Sequence, residues 1–373
     1  MAANTPPIET DSKLMMRSII QRIATGPDLS KDISQEETRL GMKAILNNEV
    51  DPVQAGIFLI ALRMKRETWD ENKGILDAIR ESAINITAPV DEILDIADPY
   101  DGYNRSLPAS PFLAPLMAEC GVATVSHSVD AVGPKYGVTH RHVLKAAGVN
   151  VDLSTKAAAK RLAQTDLGWA YVDQSSYCPK LHDLIDLRSL IIKRQVITTV
   201  EVLVKPIAGK NKTHFMTGYV HKPYPPVYAM LARHAGFDSA LLVRGVEGGV
   251  IPSLRQPGKY FSYRNMGEET GIDIDPSDVG INQTVRAVPL PTDLPKKAGE
   301  DDIVIPFDRD SAAKAAAEVG MDALNGKQGP TYDSLVYSGS LILSHLGKAD
   351  SLSSASDQIR AALDSGKAAN RVK

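Results

Sequence analysis

Residues 61–68 read ALRMKRET, and this stretch decides how the N-terminal part of the chain folds. It ends an apolar run at residues 57–62, which follows Pro52. Proline is tolerated in the first turn of a helix, where its missing N–H needs no partner, so a helix is predicted there. Thr68 is followed three residues later by Glu71, the capping-box pattern that begins a helix. The stretch therefore joins two helices.

Two more helices are predicted on the N-terminal side of this junction. Apolar residues recur at helical spacing within residues 14–23, and Ser34 with Glu37 forms another capping box. Four short helices with short links are typical of a bundle. The sequence therefore predicts a small helical domain at residues 13–88, preceded by a disordered tail at residues 1–12.

The pattern changes after residue 89, where short apolar runs alternate with helical segments. Strands are predicted at residues 93–97, 122–126, 168–172, 214–220 and 239–244. Helices are predicted between and after them, at residues 112–119, 139–147, 155–164, 179–194, 225–235, 312–325, 332–346 and 351–365. The stretch 248–305 is rich in proline, glycine and charge, and short strands and loops are expected there. This alternation predicts a large α/β domain at residues 89–373, with a mainly parallel sheet and covering helices.

Composition narrows the class of protein. The chain has 373 residues, of which 43% are hydrophobic and 23% charged, and its formal net charge is −3. That balance gives no overall attraction to nucleic acid or to an anionic membrane. No apolar run approaches the roughly 20 residues of a membrane-spanning helix, and the N-terminus lacks a secretory pattern. Cys120 and Cys178 are in no metal-binding spacing, so a cytoplasmic protein with reduced thiols is expected.

Three stretches together resemble the anthranilate phosphoribosyltransferase family, which shares its fold with the pyrimidine nucleoside phosphorylases. Residues 61–68 are similar to the family's A-L-R-M-K-G-E-T, residues 122–148 to its K-H-G, K-S-G and V-L-E-A-L-G segments, and residues 364–368 match D-S-G-K-A. The resemblance covers residues 13–370. It implies a homodimer through the helical domain, helices near 179–200 that join that domain, and an active site in the cleft between the domains.

The family transfers a phosphoribosyl group from phosphoribosyl pyrophosphate to an aromatic amine, and its glycine-rich loop approaches the pyrophosphate with bare backbone. The family's G-T-G-G-D-G corresponds here to residues 97–102, where Asp101 and Gly102 remain and Pro99 and Tyr100 are new. Proline removes a donor and tyrosine adds bulk, so the usual pyrophosphate contact is not expected. The alternatives are an ordinary turn and a reshaped loop that binds another ligand through the side chains of Tyr103, Asn104, Arg105 and Ser106.

The resemblance also implies five further contacts for phosphate or substrate: Ser110, His127, Lys135, Gly137 and Arg188. Ser110 corresponds to the serine of the family's N-I-S-T segment, Lys135 to its phosphate-loop lysine, and Arg188 to its anthranilate-contacting arginine. An arginine can clamp a carboxylate with two parallel hydrogen bonds. Four of them have a structural alternative: a helix cap for Ser110, a buried histidine for His127, a solvated lysine for Lys135 and a surface arginine for Arg188.

The family's metal motif is altered. Its G-L-D-E corresponds to residues 248–251, where Val250 and Ile251 replace both carboxylates. Apolar side chains cannot bind Mg²⁺, which prefers oxygen ligands. Mg²⁺ is therefore expected only if Glu247, together with Asp101, takes over the missing role.

Arg244 and Gly245, which follow a predicted strand, are expected in a tight loop at the edge of the sheet where ligands bind in α/β folds. The alternative is an ordinary turn, in which glycine is favoured for its backbone conformation and no ligand is bound.

Three functions remain open from the sequence. The favoured one is a pentosyltransferase-type protein that binds a small anionic, phosphorylated ribosyl ligand in the interdomain cleft, with anthranilate activity itself not expected. The second is a non-catalytic nucleic-acid-binding homologue, and the third an enzyme with unrelated chemistry in the same cleft. The basic face that the second function needs would be formed by Lys193, Arg194, Lys205, Lys210 and Lys212.

Overall fold

The N-terminal part of the chain is a bundle of four helices. The computed structural model describes residues 11–26, 28–297 and 306–373, so most of the predicted tail lies outside the described residues. The helices are α1 (Ser12–Ile23), α2 (Gln35–Leu46), α3 (Pro52–Lys65) and α4 (Trp69–Ser82). The capping boxes at Ser34 and Thr68 are both present, which confirms how the sequence begins α2 and α4.

The remainder of the chain alternates strands and helices. The strands are β1 (Ile86–Thr87), β2 (Glu92–Ala97), β3 (Thr124–Ser128), β4 (Trp169–Asp173), β5 (Ile207–Ala208), β6 (Lys212–Gly218), β7 (Ser239–Val243), β8 (Gly258–Tyr263) and β9 (Thr270–Ile274). The helices are α5 (Leu113–Glu119), α6 (His140–Ala146), α7 (Thr155–Arg161), α8 (Gln174–Tyr177), α9 (Pro179–His182), α10 (Ile185–Ile191), α11 (Ile197–Val200), α12 (Tyr224–His234), α13 (Arg309–Leu324), α14 (Pro330–His345) and α15 (Leu352–Asp364).

Seven strands form one sheet in the order β4-β3-β2-β6-β7-β8-β9. The first five are parallel, and β8 and β9 extend the sheet as antiparallel strands. The predicted fold class, a helical bundle with a mainly parallel α/β domain, is confirmed. The expectation of short strands within 248–305 is met by β8 and β9. The boundary predicted after residue 88 stays a prediction.

The stretch 179–194, predicted to be mostly helical, contains two short helices, α9 and α10. Pro179 begins α9, and α10 ends before Ile192, which is left-handed (φ +66°). The short helix α10 packs against α3, and α11 packs against α4. No described helix is long and apolar enough to cross a membrane.

The side chains of β2 show how the sheet is covered on both faces. Ile93 and Ala97 pack into a core that is continuous with the helical bundle, whereas Leu94 and Ile96 pack into a second core with α13, α14 and α15. Successive strand residues point to opposite faces. The bundle is therefore joined to one face of the sheet by shared apolar packing, which holds the two parts in contact beside the cleft.

Two helical glycines of the bundle predict opposite effects of the same substitution. A Cβ at Gly74 in α4 would lie 2.3 Å from the Gln35 carbonyl oxygen of α2, whereas a Cβ at Gly56 in α3 would be no closer than 3.8 Å to Leu187. Gly74→Ala should therefore destabilise the protein by about 2 kcal/mol through overpacking. Gly56→Ala should stabilise it by up to about 1 kcal/mol through helix propensity. Urea unfolding of both variants tests this, and equal midpoints would contradict the α2–α4 packing.

Candidate functional site

A cavity of about 480 Å³ lies where the helical bundle meets the carboxyl ends of the parallel strands. Arg63 of α3 lines it from the bundle, and Thr217 and Gly218 line it from the end of β6. Of the residues predicted for the site, five line this cavity: Asp101, Asn104, Arg105, Lys135 and Glu247. The edge of an α/β sheet at which its parallel strands end is where ligands bind in such folds.

Asp101 is buried and neutralised by two cations. Its carboxylate lies 3.2 Å from Lys135 Nζ and 2.5 Å from Arg194, which donates through its guanidinium. Burying a carboxylate is favourable only when it is paired. The predicted phosphate contact Lys135 thus lies in the cavity but bonded to a protein acid, and Asp101 has little free capacity for a metal ion.

Glu247 holds the backbone of the neighbouring loop. Its carboxylate accepts hydrogen bonds from the backbone N–H groups of Asn104 and Arg105, both at 3.0 Å, and from the Ser106 hydroxyl at 2.8 Å. These donors satisfy both oxygens. Glu247 was predicted as a metal ligand, but its carboxylate is already bonded to these three donors.

The other metal positions of the family are filled by core residues. Val250 and Ile251 are buried, at 0% and 7% exposure, and pack in the core beneath the sheet. Within the ranges that the structure describes, no group of three or more histidine, cysteine or acidic residues is arranged to hold a metal ion. The side chains present do not fit a Mg²⁺ site of the family type.

Gly102 and Gly137 bring two loops into direct backbone contact. A Cβ on Gly102 would lie 2.6 Å from the Gly137 carbonyl carbon, and a Cβ on Gly137 would lie 2.4 Å from the Tyr103 carbonyl oxygen. Backbone hydrogen bonds between Tyr103 and Val138 pair the same loops. The two glycines allow these loops to pack closely against each other, and neither glycine lines the cavity.

Tyr100 points away from the cavity into a buried polar chain. Its hydroxyl contacts His127 Nδ1 and lies 2.5 Å from the Tyr177 hydroxyl, while His127 Nε2 lies 2.7 Å from Asp95. Burial, together with Tyr177, raises the pKa of Tyr100 well above its usual value, so the phenol stays neutral. The Tyr100 side chain, which was expected to add bulk in the cleft, does not fill it. Both ring nitrogens of His127 are bonded to protein groups, one to Tyr100 and the other to Asp95.

Ser110 belongs to a buried cluster around Asp98 and does not line the cavity. Its hydroxyl contacts the Asp98 carboxylate, which also lies 2.9 Å from His140 Nε2 and accepts hydrogen bonds from Tyr103 and the Val250 backbone. Burial alone would raise the pKa of Asp98, but the hydrogen bonds, first that of His140, lower it on balance. Ser110 makes no side-chain cap bond at its 3-10 turn, so the predicted cap is wrong.

Asp98 and His140 escaped the sequence analysis. Asp98 lies in the altered loop itself, directly after β2, and His140 begins α6. An acidic residue at the end of a parallel strand is a signal that could have marked Asp98.

Arg188 lies in the protein interior. It makes two hydrogen bonds to Glu201, at 2.8 and 2.7 Å, and is 1% exposed. It does not line the cavity. Both terminal nitrogens of the guanidinium are engaged by a protein carboxylate, so the expected clamp on a substrate carboxylate has no support in this arrangement, and the alternative of a surface arginine is wrong.

Arg244 and Gly245 follow β7 but face away from the cavity. Arg244 is exposed and does not line it. A Cβ on Gly245 would lie 1.6 Å from the Gly249 carbonyl oxygen, which only glycine accommodates. Gly245 thus closes the tight loop that carries Glu247, and its contribution to the site is indirect.

The predicted basic face for nucleic acid is not a single surface. Arg194 contacts Asp101 beyond the carboxyl end of β2, whereas Lys212 is opposite Glu92 at the first residue of that strand. A strand of this length separates them by roughly 20 Å. Lys205 is bonded to the Gly236 carbonyl oxygen. The prediction of one continuous face from these five side chains is wrong.

Two features of the cleft were not predicted as site residues. Arg63 reaches from α3 into the cavity and donates to the Tyr224 hydroxyl and to Thr199, each at 2.8 Å. Tyr224 and Tyr228 form an aromatic wall, with ring centroids 6.0 Å apart. Arg63 stood within the diagnostic 61–68 stretch, but no local pattern indicated that it would face the cleft.

Comparison with known proteins agrees with the architecture. A model of the glycosyl transferase family's helical bundle domain matches residues 17–83. An uncharacterized protein of Aquifex aeolicus is 27% identical over 87% of this chain and 91% of its own length. The anthranilate phosphoribosyltransferase of Rhodopseudomonas palustris strain BisA53 is 26% identical over 95% of this chain and 96% of its own.

Solved structures of that enzyme share the fold over almost the whole chain. The protein from Thermus thermophilus superposes with a TM-score of 0.71 at 19% identity, covering 96% of this chain and 97% of its own. The Saccharomyces cerevisiae enzyme in complex with phosphoribosyl pyrophosphate and Mg²⁺ gives a TM-score of 0.72 at 14% identity, covering 96% and 95%. The bundle match and these relatives of nearly full length support membership of the anthranilate phosphoribosyltransferase family, and the solved structures show that the chain has the same fold.

Proposed function

We propose that this chain is a phosphoribosyltransferase-type protein whose interdomain cleft binds a phosphorylated ribosyl ligand. The observation that carries the proposal is the charge of the cavity lining. Four cationic side chains, those of Arg63, Arg105, Lys135 and Arg194, line the cavity with only two carboxylates. Both carboxylates are engaged by protein donors, and Arg63 is also paired with Glu67 at 2.8 Å. Such a cleft attracts anions, because low-dielectric walls concentrate the field of the charges that line it.

The cavity also suits the second reactant of a pentosyl transfer. Tyr219, Tyr224 and Tyr228 line its far side, and flat aromatic side chains favour a flat apolar acceptor. The transition state of such a transfer carries positive charge on the ribose, so catalysis depends on positioning and on the surrounding charges. Since Arg188 is engaged by Glu201, the acceptor that we propose is planar and is not held by a carboxylate clamp at that position.

Binding in this cleft should not depend on a divalent cation. In the Saccharomyces cerevisiae relative, Mg²⁺ accompanies phosphoribosyl pyrophosphate. Here the family's metal positions hold Val250 and Ile251, and lysine and arginine side chains surround the cavity instead. Fixed cations neutralise phosphate oxygens through charge-assisted hydrogen bonds, and in our proposal they do so without a metal ion.

We also propose that two copies of the chain associate through the helical bundle. Val53, Ile57 and Met64 lie on one face of α3 and are 69%, 37% and 74% exposed, and Leu190 of the adjoining α10 is 79% exposed. Apolar side chains that cluster on one face mark an interaction surface. The equivalent face of a second chain is the occupant that a symmetric dimer would provide.

Calorimetry with phosphoribosyl pyrophosphate, in EDTA and in Mg²⁺, tests ligand binding. We expect binding in both buffers, and Lys135→Ala should weaken it about tenfold or more, the value of one charge-assisted hydrogen bond. Lys145→Ala is the control, because this lysine is exposed on α6 away from the cavity. Equal affinities for the two variants, or no heat at millimolar ligand, would refute the assignment. Tighter binding of single-stranded DNA with a steep salt dependence would favour the nucleic-acid function instead.

Sedimentation analysis tests the proposed dimer. Val53→Glu combined with Met64→Glu should convert a dimer into a monomer, because charges would be buried without partners in the apolar contact. Met266→Glu is a matched control, since Met266 is also exposed (46%) but follows β8 at the far edge of the sheet. A wild-type monomer, or a dimer that survives the double substitution, would exclude this interface.

A further inference from the structure

We infer that the backbone amides of Asn104 and Arg105, with the Ser106 hydroxyl, form a phosphoryl-binding site that the Glu247 carboxylate occupies as a built-in competitor. A phosphoryl group of the cleft ligand displaces this carboxylate when it binds. The inference rests on the proposed function only for the identity of that ligand. It assigns the contact to two main-chain donors and the Ser106 hydroxyl, whereas the sequence indicated only the side chains of this loop.

The three donors converge on a single anionic group. Two backbone N–H groups at 3.0 Å and one hydroxyl at 2.8 Å point at the two oxygens of Glu247. Successive backbone N–H groups that point to one side form a concave site for anions, and phosphate is a common occupant of such sites. The carboxylate is contributed by a residue 141 to 143 positions later in the chain, so the donors belong to a preformed loop and not to a local turn around the acid.

The site opens on the cavity. Asn104, Arg105 and Glu247 all line it, and Lys135 Nζ lies 3.4 Å from the Glu247 carbonyl oxygen. The Arg105 side chain is exposed and is available to an arriving anion. A phosphoryl group in place of the carboxylate would therefore lie near Lys135 and Arg105. Its larger negative charge would interact with these two cations more strongly than a singly charged carboxylate does.

The backbone of the competing residue is held at a cost. Glu247 has φ +53°, in the left-handed region, and lies between Gly245 and Gly249 in a tight loop. A residue with a side chain in that region costs about 1 kcal/mol or more. In this strained conformation the loop directs the Glu247 carboxylate at the donors of residues 104–106.

An intramolecular competitor reduces the apparent affinity for the ligand, because only the fraction of molecules whose site is open can bind it. Removing the carboxylate should therefore strengthen the binding of a simple phosphoryl anion. Glu247→Ala should bind inorganic pyrophosphate about tenfold more tightly than the wild type in metal-free buffer. Glu268→Ala is the control, because it also removes one negative charge but lies exposed, away from the cavity.

Hydrogen–deuterium exchange at residues 104 and 105 tests the same site without reference to activity. Both amides should be protected in the wild type and exchange faster in Glu247→Ala, and added pyrophosphate should restore their protection. If the alanine variant does not fold, Glu247→Gln gives the same measurements, with a smaller gain in affinity because its amide still accepts hydrogen bonds. Equal affinity in the Glu247 and Glu268 variants, or amides that pyrophosphate leaves unprotected, would overturn the inference.

The two proposals fail separately. Restored protection by pyrophosphate, in a protein that does not bind phosphoribosyl pyrophosphate, would support the anion site and refute the proposed function. Wild-type binding of phosphoribosyl pyrophosphate, with no gain on removing Glu247, would leave the proposed function standing and refute the competitor.

Discussion

The pairing of buried Asp101 with Lys135 and Arg194 is the interaction on which the cleft depends. It connects three segments that are far apart in sequence: the loop after β2, the loop before α6 and the segment between α10 and α11. A buried carboxylate that loses its partners costs about 3–5 kcal/mol, so these segments are strongly coupled. The same pairing places Lys135 and Arg194 at the cavity, so the ion pairs that hold these segments together also supply positive charge to its lining.

Features encoded by near neighbours in the chain could be predicted from the sequence. The capping boxes at Ser34 and Thr68 depend on residues three positions apart, and both are present. The alternation of strands and helices, together with the resemblance of residues 61–68, gave the fold class. Such patterns are read locally because helix ends and strand periodicity are decided within a few residues.

The site residues were harder to predict because their partners are distant in sequence. Tyr100 was expected to fill the pyrophosphate loop, but it bonds to His127 and Tyr177, 27 and 77 positions away. Glu247 was the candidate that could replace the lost metal ligands, but it bonds to amides more than 140 positions earlier. A motif indicates which side chains are present, whereas the hydrogen bonds that decide their direction form only in the folded chain.

The altered metal motif has been absorbed into the packing of the large domain. Val250 lies in the core with no exposed surface, and its backbone N–H and C=O are bonded to Asp98 and Ser338. A return to carboxylates at residues 250 and 251 would bury charges without partners in that core, at a cost of several kcal/mol. In the function that we propose, the cleft therefore neutralises anions with lysine and arginine. Because those cations act partly through exposed positions such as Arg105 and Arg194, the affinity of the cleft should depend on ionic strength rather than on the concentration of a divalent ion.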